Sequence, residues 1–469
     1  MRVTEISHGH PATLTSRIGS APPRCGSLPS RAGARSRQPA ALHRPHTRRA
    51  GALKGNPGHH HVPHLAQPSL RTADGHNRDE RRTSWLELFF DLAFAGAVGQ
   101  LAGALQDHPT LSSLARFVLL FTPIWWLWVQ LTFYADRHES EDATHRASFL
   151  VAILLCVGLA ASAPRALSGN TPSFVIAFAS LRGLQLLLYA RARHHLPATR
   201  PLYNCYLVCF GAGGALWLSS LAVGGTVQYA FWGLALLTDA IGSMAMLVPR
   251  RRVPVNTAHL TDRFHLFVLI VLGESMARLI SAAAMRPWSL PLAVVLTAAL
   301  ITLAALWWAW LTTADRHALD GLPAVAGFTA LNLPVVAGIA AASAGLHIAI
   351  LAADGASTIA AGPRAALYGG VSVFLLASAF LPSGKMTRSA RAARLASALA
   401  AMGLVFMGAI VEPVYLVPAL TAVLVLGLLA EKYPGLLPAT AVPSWRGRRA
   451  PELHAAGLRP TAVARRVAD

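Results

Sequence analysis

Asp262-Arg263-Phe264-His265-Leu266-Phe267-Val268-Leu269-Ile270-Val271-Leu272-Gly273-Glu274-Ser275 continues through further apolar residues to Ala284. It reads as a membrane-length helix that carries a carboxylate deep inside it. A charge at bilayer depth costs roughly 2.5–3.5 kcal/mol even on the lenient insertion scale, so it marks a site or a pairing. Glu274 follows Arg263 by eleven residues, about 16 Å along a helix axis, which places it close to mid-membrane. Arg263, Phe267, Ile270 and Arg278 share its face.

Outward from this stretch the same pattern recurs. The chain is 54% hydrophobic and only 13% charged, and about twelve apolar runs of ~20 residues lie between Trp85 and Ala430, each long enough to cross a ~30 Å hydrocarbon core. The expected fold is therefore all-α, a polytopic transmembrane helical bundle whose partner is the lipid bilayer. A formal net charge of +20 could indicate nucleic acid, but no basic groove with interleaved aromatics is present, so no nucleic-acid partner is expected. The arginines instead sit in the tails and the connections. One alternating set of connections carries Arg137, Arg146, Arg191, Arg193, Arg200, Arg250 to Arg252, Arg316, Lys385, Arg388, Arg391 and Arg394, whereas the other has Arg165, Arg286 and Arg364. By the positive-inside tendency, the first set and both termini lie in the cytoplasm of a cell whose plasma membrane holds the bundle.

Four segments are expected. Residues 1–84, rich in Arg, Pro, His, Ser and Gly and without an apolar core for a signal peptide, read as a disordered basic tail. Residues 85–255 and 256–433 read as two six-helix membrane repeats in the same orientation, and 434–469 as a second basic tail. The repeat rests on Trp125-Trp126-Leu127-Trp128 with Ala135-Asp136-Arg137-His138, echoed by Trp307-Trp308-Ala309-Trp310 with Ala314-Asp315-Arg316-His317. Parallel repeats are an established transporter plan, with sites near the repeat interface. The tryptophans stand beside basic connections and read as interfacial anchors.

Several polar residues are candidates for an ion or substrate pathway. Glu274 either neutralises itself against Arg278 one turn on or lines a wet cavity as a proton or cation site. Asp91 sits one turn beyond Glu87, itself expected at the solvated interface, and either pairs locally or functions. Gln100 is expected to make an interhelical hydrogen bond. Arg182 and Asp239 fall deep in their spans and are expected to pair, with or without Glu274 in the same network. Asp136, Arg137, Asp315 and Arg316, with Glu87, Asp262 and Arg263, either fix loops at the cytoplasmic surface or form a gate of paired acids and arginines. Gly96, Gly99 and Gly103, like Gly211, Gly213 and Gly214, suit close helix approach.

Metal and enzyme chemistry find less support. The His59-His60-His61 tract with His64 lacks a scaffold, and Cys205 with Cys209, one turn apart, reads as two thiols on a helix face. No metal or cofactor is expected. There is no phosphate loop, Gly-x-Ser-x-Gly elbow or zinc helix. A membrane-embedded enzyme would have to draw on Asp91, Asp136, His138, Asp315 and His317.

Trp85-Leu86-Glu87-Leu88-Phe89-Phe90-Asp91-Leu92, together with His259-Leu260-Thr261-Asp262-Arg263-Phe264-His265-Leu266-Phe267 leading into Leu272-Gly273-Glu274-Ser275, resembles the bacterial low temperature requirement A family. Where that family shows Glu-Arg and then Gly before Leu-Phe, this chain has Asp262 and His265. A weaker likeness, Phe89-Phe90-Asp91 to the Phe-Ser-Asp of two-repeat potassium channels, favours cations. The resemblance implies an integral membrane protein; the residues suggest a transporter or channel-like protein for a small solute or cation. The alternatives are a non-transporting scaffold or stress-response sensor and, third, a membrane enzyme.

Overall fold

The computed structural model describes residues 69–70, 84–139, 143–248, 253, 255–313, 319, 321–355, 358–384 and 386–433. Within them the chain forms twelve helices: α1 (Trp85–Asp107), α2 (Leu111–Arg137), α3 (Ala143–Leu167), α4 (Pro172–His195), α5 (Arg200–Ser219), α6 (Gly225–Met244), α7 (Thr257–Ala284), α8 (Leu290–Thr313), α9 (Leu322–Leu351), α10 (361–379), α11 (Arg388–Met407) and α12 (Pro413–Lys432). Eleven are long and apolar enough to cross a membrane. The remaining one, α10, passes through a π turn at Ala365–Gly369 and is still about 28 Å long at 1.5 Å per residue. It begins and ends a few residues earlier than the apolar run from Ala365 to Pro382 suggests.

Helix starts are written in the sequence. Ser84 and Glu87 form a reciprocal capping box at α1, satisfying two backbone donors that would otherwise be orphaned. Asn256 accepts from the His259 backbone N–H at the start of α7, and Thr110 and Thr387 do the same for α2 and α11. Pro opens α4, α9 and α12, where its missing N–H is no loss. Gly321, at φ +83°, supplies the left-handed residue before α9 that a side chain would strain.

The bundle is organised around α1, α2 and α9, the most enclosed helices. In the first half α1 packs on α2 and α3, α3 on α4, α4 on α5 and α5 on α6; in the second, α7 packs on α8 and α9, α9 on α10, α10 on α11 and α11 on α12. The neighbour order thus recurs, as a duplication would require, but α8 lies broadly against α12 while α2 directs Trp125 and Trp128 at Phe264 and Phe267 of α7. The second Ala-Asp-Arg-His copy falls outside the described residues, and duplication stays a reading of the sequence.

Two expectations need correction. Trp125, Trp128 and Trp310 are buried core residues rather than interfacial anchors; only Trp307 and Trp308 of the two clusters are exposed. The aromatic-belt reading failed because a tryptophan every three to four residues also makes one helix face, and α2 turns that face inward. Of the N-terminal segment, Ser69–Leu70 pairs antiparallel with His138–Glu139; the rest of 1–83, including the histidine tract, lies outside the described residues.

Glycine carries the close contact between α9 and α10. A Cβ on Gly345 would lie 2.5 Å from Leu367 Cβ and 2.7 Å from its backbone N. Gly345→Val is therefore expected to destabilise by about 1–3 kcal/mol through overpacking against backbone that cannot yield. A thermal midpoint in detergent equal to that of the unaltered protein would show that the two helices can part freely.

Candidate functional site

Glu87 and Asp91 are four residues apart on α1, and His259 and Arg263 four apart on α7, so each pair shares one helix face. The two faces meet. Arg263 Nε donates to Asp91 Oδ2 at 2.9 Å, and Arg263 Nη2 donates to Asp91 Oδ1. Trp128 of α2 adds Nε1–H to the same Oδ1 at 2.8 Å. The carboxylate is thus held by a two-pronged guanidinium and an indole, with both charged side chains wholly buried. Phe90 lies under the guanidinium at 5.8 Å, and the Trp128 ring packs on Phe267 at 4.2 Å. Aromatic rings thus wall the buried pair.

One turn toward the helix starts, the same array continues through an imidazole. His259 Nδ1 is 3.0 Å from Asp136 Oδ1, at the end of α2, and its Nε2 is 3.4 Å from Glu87 Oε2. Asp136 Oδ2 also accepts from the Asn256 backbone N–H at 2.8 Å. Glu87 Oε1 lies 3.8 Å from Arg263 Nη1. Buried carboxylates from α1 and α2 therefore flank one imidazole from α7, and the line runs on through Arg263 to Asp91. Such an array can hold and pass a proton, because imidazole exchanges one at each ring nitrogen. Glu87 was expected in solvent; it is buried because it falls on the inward face of α1 with Phe90 and Asp91, although the helix itself begins at exposed Ser84 and Trp85.

A second network lies in the first half. Arg182 of α4 donates Nη2 to Asp239 of α6 at 2.5 Å and Nη1 to Gln130 Oε1 and Gln185 Oε1 at 2.7 and 2.8 Å. The Arg182–Asp239 pairing is as the sequence suggested. Glu274 takes no part in it. That residue pairs with Arg278 on its own helix at 2.8 Å, with its side chain 40% exposed, and the pair rests on α1 where Gly99 and Gly103 leave room. Gly96 meets nothing.

Of the remaining candidates, Gln100 faces out of the bundle and makes no hydrogen bond among the described residues, contrary to the expected interhelical bond; it lies on the far side of α1 from Asp91. Asp262 is likewise exposed, one position off the buried face of α7. Asp315 and Arg316 lie outside the described residues. Arg394, counted among connection arginines, is a buried residue of α11 held by Glu431 of α12 at 2.6 Å. Arg137 ends α2 in a buried position, Nη1 donating to Tyr206 Oη at 3.3 Å.

Sequence reasoning did not single out His259, Trp128, Gln130 or Gln185 as site residues. The signal for His259 was present: it precedes Arg263 by one turn. Gln130 was visible as a polar interruption two residues after the tryptophans. His138, just past α2, is held apart from the charged line. Burial, with the neighbouring Arg137 charge adding to it, pushes its imidazole down to about 4, so it is neutral at physiological pH, with Nδ1 donating to Tyr134 O at 2.8 Å and Nε2 facing Tyr203 Oη at 3.2 Å. No cluster of His, Cys, Asp and Glu suited to a metal ion occurs among the described residues. Cys205 and Cys209 stand 3.8 Å apart as neighbouring half-buried thiols.

Residues 82–430 match the model of a family described as bacterial low temperature requirement A protein. An uncharacterized protein of Rhizobium meliloti (strain 1021) is 26% identical over 286 residues, covering 56% of this chain and 68% of that protein. No solved structure matches.

Proposed function

The chain belongs to the bacterial low temperature requirement A family, and from that premise we propose that it is a proton- or cation-coupled transporter or channel-like protein for a small solute. It would sit in the plasma membrane with both termini cytoplasmic. The observation that carries this reading is the imidazole of His259 held between Asp136 and Glu87 and joined through Arg263 to Asp91. Charge in a membrane helix is tolerated where it pairs or serves a pathway. Here the groups come from three helices and from both halves of the bundle, so any relative movement of the halves changes their partners. Such a dependence on the position of the halves is what coupling to alternating access would need. The orientation is supported by Arg191, Arg193 and Arg200 around the α4–α5 turn, at the same end as the start of α1.

The test is flux in reconstituted vesicles loaded with a pH dye, driven by an imposed proton, sodium or potassium gradient. Proton or cation movement above that of protein-free vesicles is expected, and Glu87→Gln is expected to slow it at least about 100-fold, the lower end for loss of a positioned proton-transfer group. His259→Gln should do the same. Should the unaltered protein move none of these ions, the transport reading fails. The second reading, a scaffold or sensor without flux, is favoured by Arg182, Arg263 and Arg394 each having a carboxylate partner, since an arginine already paired needs no substrate to explain it.

A further inference from the structure

Charged and amide side chains stand where this bundle faces lipid. Glu274 and Arg278 pair along the seam between α1 and α7, with their side chains 40% and 18% exposed. Beside them on α1, Gln100 is exposed and has no hydrogen bond among the described residues, and Nε of Arg278 has no partner either. Gln100 lies seven residues before the end of α1 and Glu274 ten before the end of α7. At about 10 and 15 Å along the axis, both fall inside a ~30 Å hydrocarbon core. Hydrocarbon offers an amide or an ion pair no partner, and polar side chains at that depth are normally turned inward. Gln100 is instead turned outward, on the far side of α1 from Asp91.

The backbone around these groups is bare. Gly96, Gln100 and Gly103 follow one another at intervals of four and three residues and so share a face of α1, and it is at Gly103 that Arg278 rests. A Cβ built on Gly96, or on Gly273 next to Glu274, would meet nothing within 4 Å. Gly273 and Ala277 are exposed. Small residues beside polar ones let membrane helices approach closely enough to hydrogen-bond across their interface. The seam has both features and no neighbour to use them.

We propose that the outer α1–α7 face binds the same face of a second copy of this chain, making a twofold dimer whose axis runs along the membrane normal. Copies inserted in the same sense meet at equal depth in an isologous contact, so each face must be complementary to itself. The exposed groups meet that condition. An amide both donates and accepts, so Gln100 can bond the partner's Gln100. An acid and a base one turn apart complement their own copy, so Glu274 can accept from the partner's Arg278 as well as from its own. A lipid chain satisfies none of these groups, and a headgroup does not reach their depth. The proposal does not rest on the transport reading and would stand for a scaffold or sensor as well.

Stepwise photobleaching of the fluorescently labelled full chain in liposomes, at falling protein-to-lipid ratio, tests it. Two-step bleaching is expected to dominate and to give way to single steps on dilution. Gly96→Trp and Gly273→Trp add bulk only to the open space outside the chain, so each should leave the fold intact and weaken the dimer at least about tenfold through overpacking at the contact. Gln100→Leu removes the amide alone and should weaken it about 3- to 20-fold, the range of interhelical hydrogen bonds in bilayers. Gly233→Trp, on the exposed side of α6 with equally open space, is the control and should change nothing. A chain that bleaches in one step at every ratio would overturn the proposal, as would a dimer that the α1 and α7 tryptophans both leave intact. Labelling of Glu274 by a water-soluble carbodiimide in such a monomer would assign the seam to a water-filled groove instead.

Discussion

Arg263→Gln is expected to lower the stability of the folded bundle by about 3–5 kcal/mol, the range for removing one member of a buried ion pair. Asp91 would keep its Trp128 hydrogen bond but lose both guanidinium bonds, in a fully buried position beside Phe90. Glu87 would lose its nearest guanidinium as well. Arg263→Lys keeps a charge but not the planar fork, and one ammonium cannot reproduce the Nε and Nη2 pair, so an intermediate loss is expected. The thermal midpoint of each variant in detergent measures this. A glutamine variant as stable as the original would mean that the charges do not hold α1 to α7.

The fold was legible because its strongest signal, apolar runs of bilayer length, is set by composition and needs no knowledge of packing. Each of the twelve runs corresponds to a helix, and the limits of α10, which contains the π turn, differ from its run by only a few residues. Burial within the bundle was less legible. The same helical spacing describes a tryptophan stripe facing headgroups and one facing the core, and only the position of α7 decides it for Trp125 and Trp128. The site was half legible for a related reason. Asp91 was singled out one turn beyond Glu87 and Arg263 as a loop or gate residue at the cytoplasmic surface, yet nothing in the sequence says that they meet across 172 positions. Glu274 looked like the centre because of its depth. Its pairing with Arg278 was one of the two outcomes the spacing allowed, whereas its 40% exposure depends on how α7 sits against Gly99 and Gly103 of α1.

Arg182 and Asp239 test whether buried charge in this bundle is architecture or machinery. Arg182→Met alone should destabilise by about 3–5 kcal/mol, because Asp239 would remain as an unpaired buried carboxylate. Arg182→Met combined with Asp239→Leu should recover most of that loss, since replacing a whole buried pair by packed apolar side chains of similar volume is commonly neutral or better. Gln130 and Gln185 can still bond each other through the Gln185 amide, so the double variant strands few polar atoms. The stability recovery, read from midpoints of the two single variants and the double, establishes the coupling. Flux then separates the roles: a double variant that is stable and still conducts makes the pair a clamp between α4 and α6, whereas one that is stable and silent places it on the pathway. Because Asp239 packs beside Gly213 and Arg182 beside Gly214 of α5, the clamp would fix three helices of the first half together. Those three helices would then move as one body, separate from the faces of α1, α2 and α7 on which Asp91, Glu87 and Asp136 meet Arg263 and His259.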